Sequence, residues 1–354
     1  MRRCISCIAL AAAMMLTLAT WGQAAKASKG KDDSKSAQSS SIEELITKGD
    51  YQKAIDLANK FIEANQATEG LYIDLGVAYY HMKDYPKAIE AYEKAAGMNP
   101  FDTKALQYEA TCYHEMNQDD KVEEVYNRIL GIDGTQIEVR YDLAQLYEKQ
   151  DKLSDALAQY QQIYKVDPNF KDVAYAAGVI LHNDGKYEEA APFFEKAVSL
   201  KPDDDQALLA QGQNFLKDGK LEMALAPLKS FIDVTKNEPI KPSVIQQVAV
   251  IYEKLGVTAL DSVKGSKDKA AVSKAEADAN GHFGNAVVYF DKLLAIRPNS
   301  ETALAGKANC LLKMDKADEA LPVLKQYLEV SGNTAEKKKV ADIIKQIEAS
   351  NKRR

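Results

Sequence analysis

Apolar side chains recur along this chain at spacings of three and four, and the pattern itself repeats. Tyr72, Leu75, Gly76 and Tyr79 fall on one helical face, because residues three and four apart stack on the same side of an α-helix. The same register then reads Leu106, Glu109, Ala110, Tyr113; then Arg140, Leu143, Ala144, Tyr147; then Ala174, Ala177, Gly178, Leu181. A second apolar triplet follows each of these: Ala88, Tyr92, Ala95; Val122, Tyr126, Ile129; Ala156, Tyr160, Ile163; Ala190, Phe194, Ala197. The spacing predicts pairs of short antiparallel helices. The third position of the first set is Gly or Ala each time, which lets a neighbouring helix come close. Pro100, Pro168, Pro202 and Pro298 close units where a helix must end. No stretch shows strand-like alternation of useful length.

One small or short residue keeps the beat. Ala54, Ala88, Val122, Ala156, Ala190 and Ala224 are each 34 residues apart, and Ala286 and Ala320 resume the period. A single helix pair cannot bury its apolar face, so neighbours must stack into one array. Eight candidate units lie near 35–68, 69–102, 103–136, 137–170, 171–204, 205–238, 242–300 and 301–334, within an array spanning 41–333. The first has a short, polar first helix. The third has Glu109 and Gly134 where Leu and Pro are expected. The last carries Pro322 inside its second helix. The seventh loses register after Tyr252 and recovers it at His282, so residues 257–281 are inserted between its two helices. That insertion has balanced charges and few large apolar residues. It is expected to protrude as a helical or mobile excursion that adds almost nothing to stability. Residues 334–354 are expected to form a capping helix, with Val340, Ile343, Ile344 and Ile347 inward, followed by a basic tail.

The run Tyr72, Leu75, Gly76, Tyr79, then Ala88, Tyr92, then Pro100 resembles the tetratricopeptide repeat, whose pattern is W-x2-L-G-x2-Y, A-x3-F, P. Tyr stands here for the family's Trp and Phe, and the beat is the family's length. The resemblance implies an all-α fold: a right-handed α-solenoid of about eight helix pairs plus the C-terminal cap. It also implies partner binding rather than chemistry, in a concave groove lined by the first helix of each pair. Counting Tyr72 as position 4, the family's contacts come mainly from positions 2, 5, 9 and 12. Carried over, these give a candidate groove of Tyr80, Gln107, His114, Tyr141, Gln145, Tyr175, His182 and Gln213, edged by Glu138 and Asp172. The Lys and Asn pair with which some members clamp a terminal carboxylate is missing here. Tyr141 and Tyr175 are expected to stand open in the groove, whereas Tyr113 at position 11 is expected in the core.

The first residues differ in kind. Arg2 and Arg3 precede an apolar run from Ile5 to Leu18, and small residues follow at Gly22, Ala24, Ala25 and Ala27. This is a secretory signal pattern over residues 1–27, with cleavage after Ala24 or after Ala27. The run is shorter than the ~20 residues a membrane helix needs. The alternative is retention as an N-terminal anchor. The expected location is exported, periplasmic or secreted in a bacterial source. Residues 28–40 contain no large apolar residue and are expected to be a flexible linker. Losing residues 1–27 removes Arg2, Arg3 and Lys26 and no acid, taking the net charge from −6 to −9. That balance disfavours nucleic acid.

The chemistry-bearing residues are sparse. Cys4 and Cys7 lie in the leader, and Cys112 and Cys310 are expected as buried free thiols. His81, His114, His182 and His282 make no i, i+4 pair with another ligand, so no metal is expected. No nucleophile elbow, phosphate loop or zinc-protease motif is present. Clustered acids such as Asp203, Asp204 and Asp205 suit helix starts better than acid–base chemistry. The expectation is a protein without enzymatic activity or cofactor. It would be a scaffold or adaptor of the cell envelope that holds a peptide segment or partner subunit, in association with membrane-bound complexes. The alternative is a carbohydrate-binding protein with Tyr141 and Tyr175 as stacking platforms.

Overall fold

The structure, a computed structural model, describes residues 33–352, with side chains from Ser40 onward. The signal pattern, the start of the linker, and Arg353 and Arg354 lie outside the described residues. Within them the chain is all-α, with seventeen helices and no strand. No helix among the described residues is long and apolar enough to cross a membrane.

The chain divides into two compact units, the first running through Val139 and the second from Arg140. The first unit holds three helix pairs: α1 (Asp33–Thr47) with α2 (Tyr51–Glu63), α3 (Glu69–His81) with α4 (Tyr85–Met98), and α5 (Lys104–Glu115) with α6 (Asp119–Ile132). α1 takes in 33–40, so most of the segment expected as linker is helical instead. The second unit holds α7 (Ile137–Lys149), whose first turn precedes Arg140, and α8 (Leu153–Val166). After these come α9 (Val173–Asn183), α10 (Tyr187–Leu200), α11 (Asp205–Lys217) and α12 (Leu221–Val234). α13 (Lys241–Asp261), α14 (Lys269–Ile296), α15 (Glu301–Lys313), α16 (Ala317–Val330) and α17 (Thr334–Asn351) complete it.

Local chemistry sets these boundaries. Thr68, Asp84, Asp204, Asp268, Ser300 and Asn333 each accept from backbone N–H groups at a helix start, where the first turn has no internal partner. Between the helices of each pair the chain reverses through one left-handed residue. Lys83, Asn117, Asp151, Gly185 and Gly219 hold that place in successive units, with φ between +56° and +78°. The next amide bonds back across the turn, as Asp84 N–H does to the Tyr79 carbonyl at 3.0 Å. Only glycine adopts this conformation at no cost, yet three of the five are not glycine.

The core is a row of small residues facing rings. At Gly76 an added methyl would fall on the Tyr92 ring, which is fully buried, and at Gly178 it would lie 3.0 Å from the Phe194 ring. The small position of the first helix is thus a socket for the aromatic of the second. At the C-terminus α17 buries Ile344 and Ile347 in a cluster with Leu304, Leu311, Leu324 and Tyr327. Glu348 pairs with Lys325 at 2.8 Å.

The seventh pair is helical through most of its insertion, within expectation, and departs from expectation in how the insertion packs. Its helices run to 21 and 28 residues, against 13 and 14 in the pair before it, so the inserted residues extend both helices. The extension packs on itself. Ala279 is 1% exposed and Ala275 is buried, and a methyl at Gly256 would sit 2.6 Å from the Phe283 ring. Small side chains suffice here because two adjacent helices can zip together along an Ala and Gly seam without large apolar residues.

Candidate functional site

In the first unit, Tyr80 lies half-buried on α3, its ring tilted against Tyr85 at 5.6 Å. Burial first, and then the Glu115 carboxylate, push its hydroxyl pKa up to about 12. Gln107 and His114 lie one repeat on, on α5. Gln107 Nε2 donates to Gln136 Oε1 at 2.9 Å, and Gln136 Nε2 donates in turn to Thr103 Oγ1 at 2.7 Å.

In the second unit, consecutive first helices are joined by polar side chains at every step. Between α7 and α9 the Tyr141 hydroxyl donates to Asp172 Oδ1 at 2.6 Å, and Gln145 Nε2 donates to the Tyr141 oxygen at 3.1 Å. Between α9 and α11, His182 Nδ1 meets Asn214 Oδ1 at 2.9 Å. Asn214 Nδ2 is spent on the Tyr187 carbonyl at 2.8 Å, so the amide oxygen accepts and the imidazole donates. Between α11 and α13, Gln213 Nε2 donates to Gln247 Oε1 at 2.8 Å. Between α13 and α15, Asn309 donates to Glu253. These links hold neighbouring repeats in fixed register.

The α7–α9 step is also acidic. Tyr160 on α8 donates its hydroxyl to Glu148, and burial, ahead of the nearby Glu148 and Tyr141, raises the Tyr160 pKa. Burial also raises the Glu148 carboxyl, opposed by the Tyr160 hydrogen bond and reinforced by Asp172. Two carboxylates, Glu148 and Asp172, therefore stand at one step of the first-helix face, beside two tyrosine hydroxyls.

Tyr141 corrects the expectation of an open platform, because it is only 6% exposed. Phe170 packs edge-on to it at 5.8 Å, Tyr160 lies 6.1 Å away, and Lys171 Nζ stands 4.0 Å over the ring. Covering one face with an ammonium takes away the surface a sugar ring would stack on. Tyr175 remains half-buried, with its ring T-shaped to Phe194 at 6.3 Å. Tyr113 reverses in the other direction, since it is half-buried rather than core. Cys112 and Cys310 are buried free thiols, and burial pushes each up to about 12. Among the described residues no group of three or more His, Cys, Asp and Glu side chains is placed to hold a metal.

Models of the tetratricopeptide repeat match residues 71–102, 141–205 and 279–338. The chain is a tetratricopeptide-repeat protein. The matched stretches contain the Gly76–Tyr92 and Gly178–Phe194 sockets, α14 from Ala279 onward, and all of α15 and α16. The stretch around Glu109 falls between two of them. No curated protein matches the chain. Solved structures similar to it include the C-terminal part of a repeat-containing protein from Cytophaga hutchinsonii. That structure is 17% identical, covering 76% of this chain and 98% of its own, with a TM-score of 0.45. A tetratricopeptide repeat protein from Parabacteroides merdae is 17% identical, covering 79% and 100%, with a TM-score of 0.42. YrrB, described as a repeat protein with an unusual peptide-binding site, is 20% identical, covering 52% and 95%, with a TM-score of 0.43.

In this repeat protein the candidate residues separate into two groups. Tyr80, Gln107 and His114 belong to the first unit. Tyr141, Gln145, Tyr175, His182 and Gln213 sit on α7, α9 and α11 of the second. Sequence reasoning missed Asn214, Gln247 and Phe170; Glu148, at position 12 of the Tyr141 repeat, was readable in the sequence. A usable signal was present: the linked partners Gln213 and Gln247 are one 34-residue period apart, which places them at the same height on neighbouring first helices.

Proposed function

We propose that the first-helix face of the second unit binds an extended segment of a protein partner, and that the chain serves as a non-enzymatic interaction scaffold. The observation that carries this reading is the Gln213–Gln247 link. It uses Gln213 Nε2 and Gln247 Oε1. That bond leaves an amide oxygen on one helix and an amide nitrogen on the next unused, both on half-buried side chains. An extended backbone presents the complementary N–H and C=O. Leu209 and Leu216 lie half-buried on α11 with Gln213, and Tyr175 and Val179 lie half-buried on α9, the first helix before it, offering apolar contact. At the α7–α9 end, Glu148 and Asp172 favour a partner carrying a basic side chain there. The charged start and apolar run at residues 1–18 support export of this scaffold to the cell envelope.

The test begins with a pull-down from envelope extracts using the tagged chain, followed by binding measurements on the captured segment. Gln213→Ala with Gln247→Ala is expected to weaken binding at least roughly tenfold, in the range of interface hot spots, with the helical circular dichroism unchanged. Asp172→Asn is expected to weaken a lysine- or arginine-bearing segment and to spare one in which that residue is replaced by glutamine. Equal affinity of all three proteins for the segment would place the contact elsewhere.

A further inference from the structure

The first unit contains a buried acid that the binding reading does not use. Glu109 on α5 is 4% exposed, and Leu75 and Leu143 stand at its place in the adjacent repeats. It lies between α4 and α6. Its Oε2 is buried and has no hydrogen-bond partner among the described residues. The charged groups facing it are Glu93 from α4, and Lys121, Glu124 and Arg128 from α6. On α5 itself Cys112 and Tyr113 are close enough to feel its charge. Lys121, the one ammonium among these groups, is paired with Glu124 at 2.7 Å.

An ionised carboxylate that is buried and unpaired is costly, whereas the neutral acid is tolerated. We propose that Glu109 is a pH-sensitive element of the first unit: protonated, it permits close packing of α5 against α4 and α6, and ionised, it loosens that packing. Gln107 and His114 ride on the same helix, so the device would alter the first-helix face of this unit. Burial, reinforced by Glu93, raises the carboxyl from 4.5 to about 7. The folded state therefore holds the proton more tightly than the unfolded chain. Stability is full below the unfolded value of 4.5 and falls as pH rises through the folded value near 7.

The test is amide hydrogen exchange on the full chain at pH 6 and pH 8, corrected for intrinsic rates, for wild type, Glu109→Gln and Glu109→Leu. In the wild type, protection of α5 is expected to fall roughly tenfold over this interval, the most the linkage allows. Both variants are expected to hold their protection level. Parallel profiles in wild type and Glu109→Gln would overturn the proposal. If the variants fail to fold, the carboxyl carbon resonance of Glu109 in the wild-type chain decides. A midpoint of 6 or above supports it and one below 6 overturns it.

Discussion

The hydroxyl of Tyr141 donates to Asp172 Oδ1 at 2.6 Å, tying the first helix of one repeat to the helix start of the next. The ring is buried under Phe170 and Lys171, so Tyr141 is a packing residue with a polar tip. Tyr141→Ala should therefore cost about 3–5 kcal/mol, as other large aromatic truncations do. Tyr141→Phe, which keeps the ring and drops the bond, should cost roughly 1 kcal/mol. Tyr175→Ala and Tyr113→Ala, both half-buried, should each cost roughly 1–2 kcal/mol. Chemical denaturation of the four variants tests this order. Equal losses for Tyr141→Ala and Tyr175→Ala would contradict it.

The sockets predict a graded response to one methyl. Gly76→Ala would set its Cβ on the Tyr92 ring, which has no room to retreat, so a net loss of about 1–3 kcal/mol is expected. At Gly178 the nearest ring atom is 3.0 Å from the added carbon, and the gain in helix propensity, about 1 kcal/mol, works against the crowding. Gly178→Ala should be close to neutral. Melting temperatures of the two variants measure the difference, and the same loss at both would show that the ring contacts do not control it.

The extension of α13 and α14 contributes to stability, contrary to what its composition suggests. Ala279→Glu would force a carboxylate into a position that is 1% exposed and should cost about 2 kcal/mol or more. Ala277→Glu, exposed two residues away on the same helix, should leave the melting temperature within a degree or so, about 0.5 kcal/mol at most. Indifference to both substitutions would mean the extension is not packed.

Export with cleavage has a simple optical consequence. Trp21 is the single tryptophan of the chain and precedes both candidate cleavage sites. Protein recovered from the exported fraction should fluoresce through tyrosine alone, and its first residue should be Ala25 or Ser28. Tryptophan emission from that fraction would rule cleavage out.

Much of the architecture could be read directly from the chain. A helix pair is a local object. Spacings of three and four, a capping Asp or Ser, and a proline after the second helix each act within a few residues of themselves. The 34-residue beat then demands stacking, because no single pair can cover its own apolar face. Ala54 through Ala224, the capping helix with Ile344 and Ile347, and the buried thiols followed from that pattern alone. The candidate site was legible only as a set of positions. Whether Tyr141 stands open or closed depends on Phe170 and Lys171, which come from the loop after the next helix. Their placement requires the loop to fold back over the ring. The seam at Ala275 and Ala279 was invisible for the opposite reason. Small residues signal little hydrophobic drive in a sequence, yet they permit the closest helix approach once two helices lie side by side. Periodicity thus determined which residues share a face. Only the tertiary structure decided which of them are covered, because coverage depends on side chains that arrive from a neighbouring repeat.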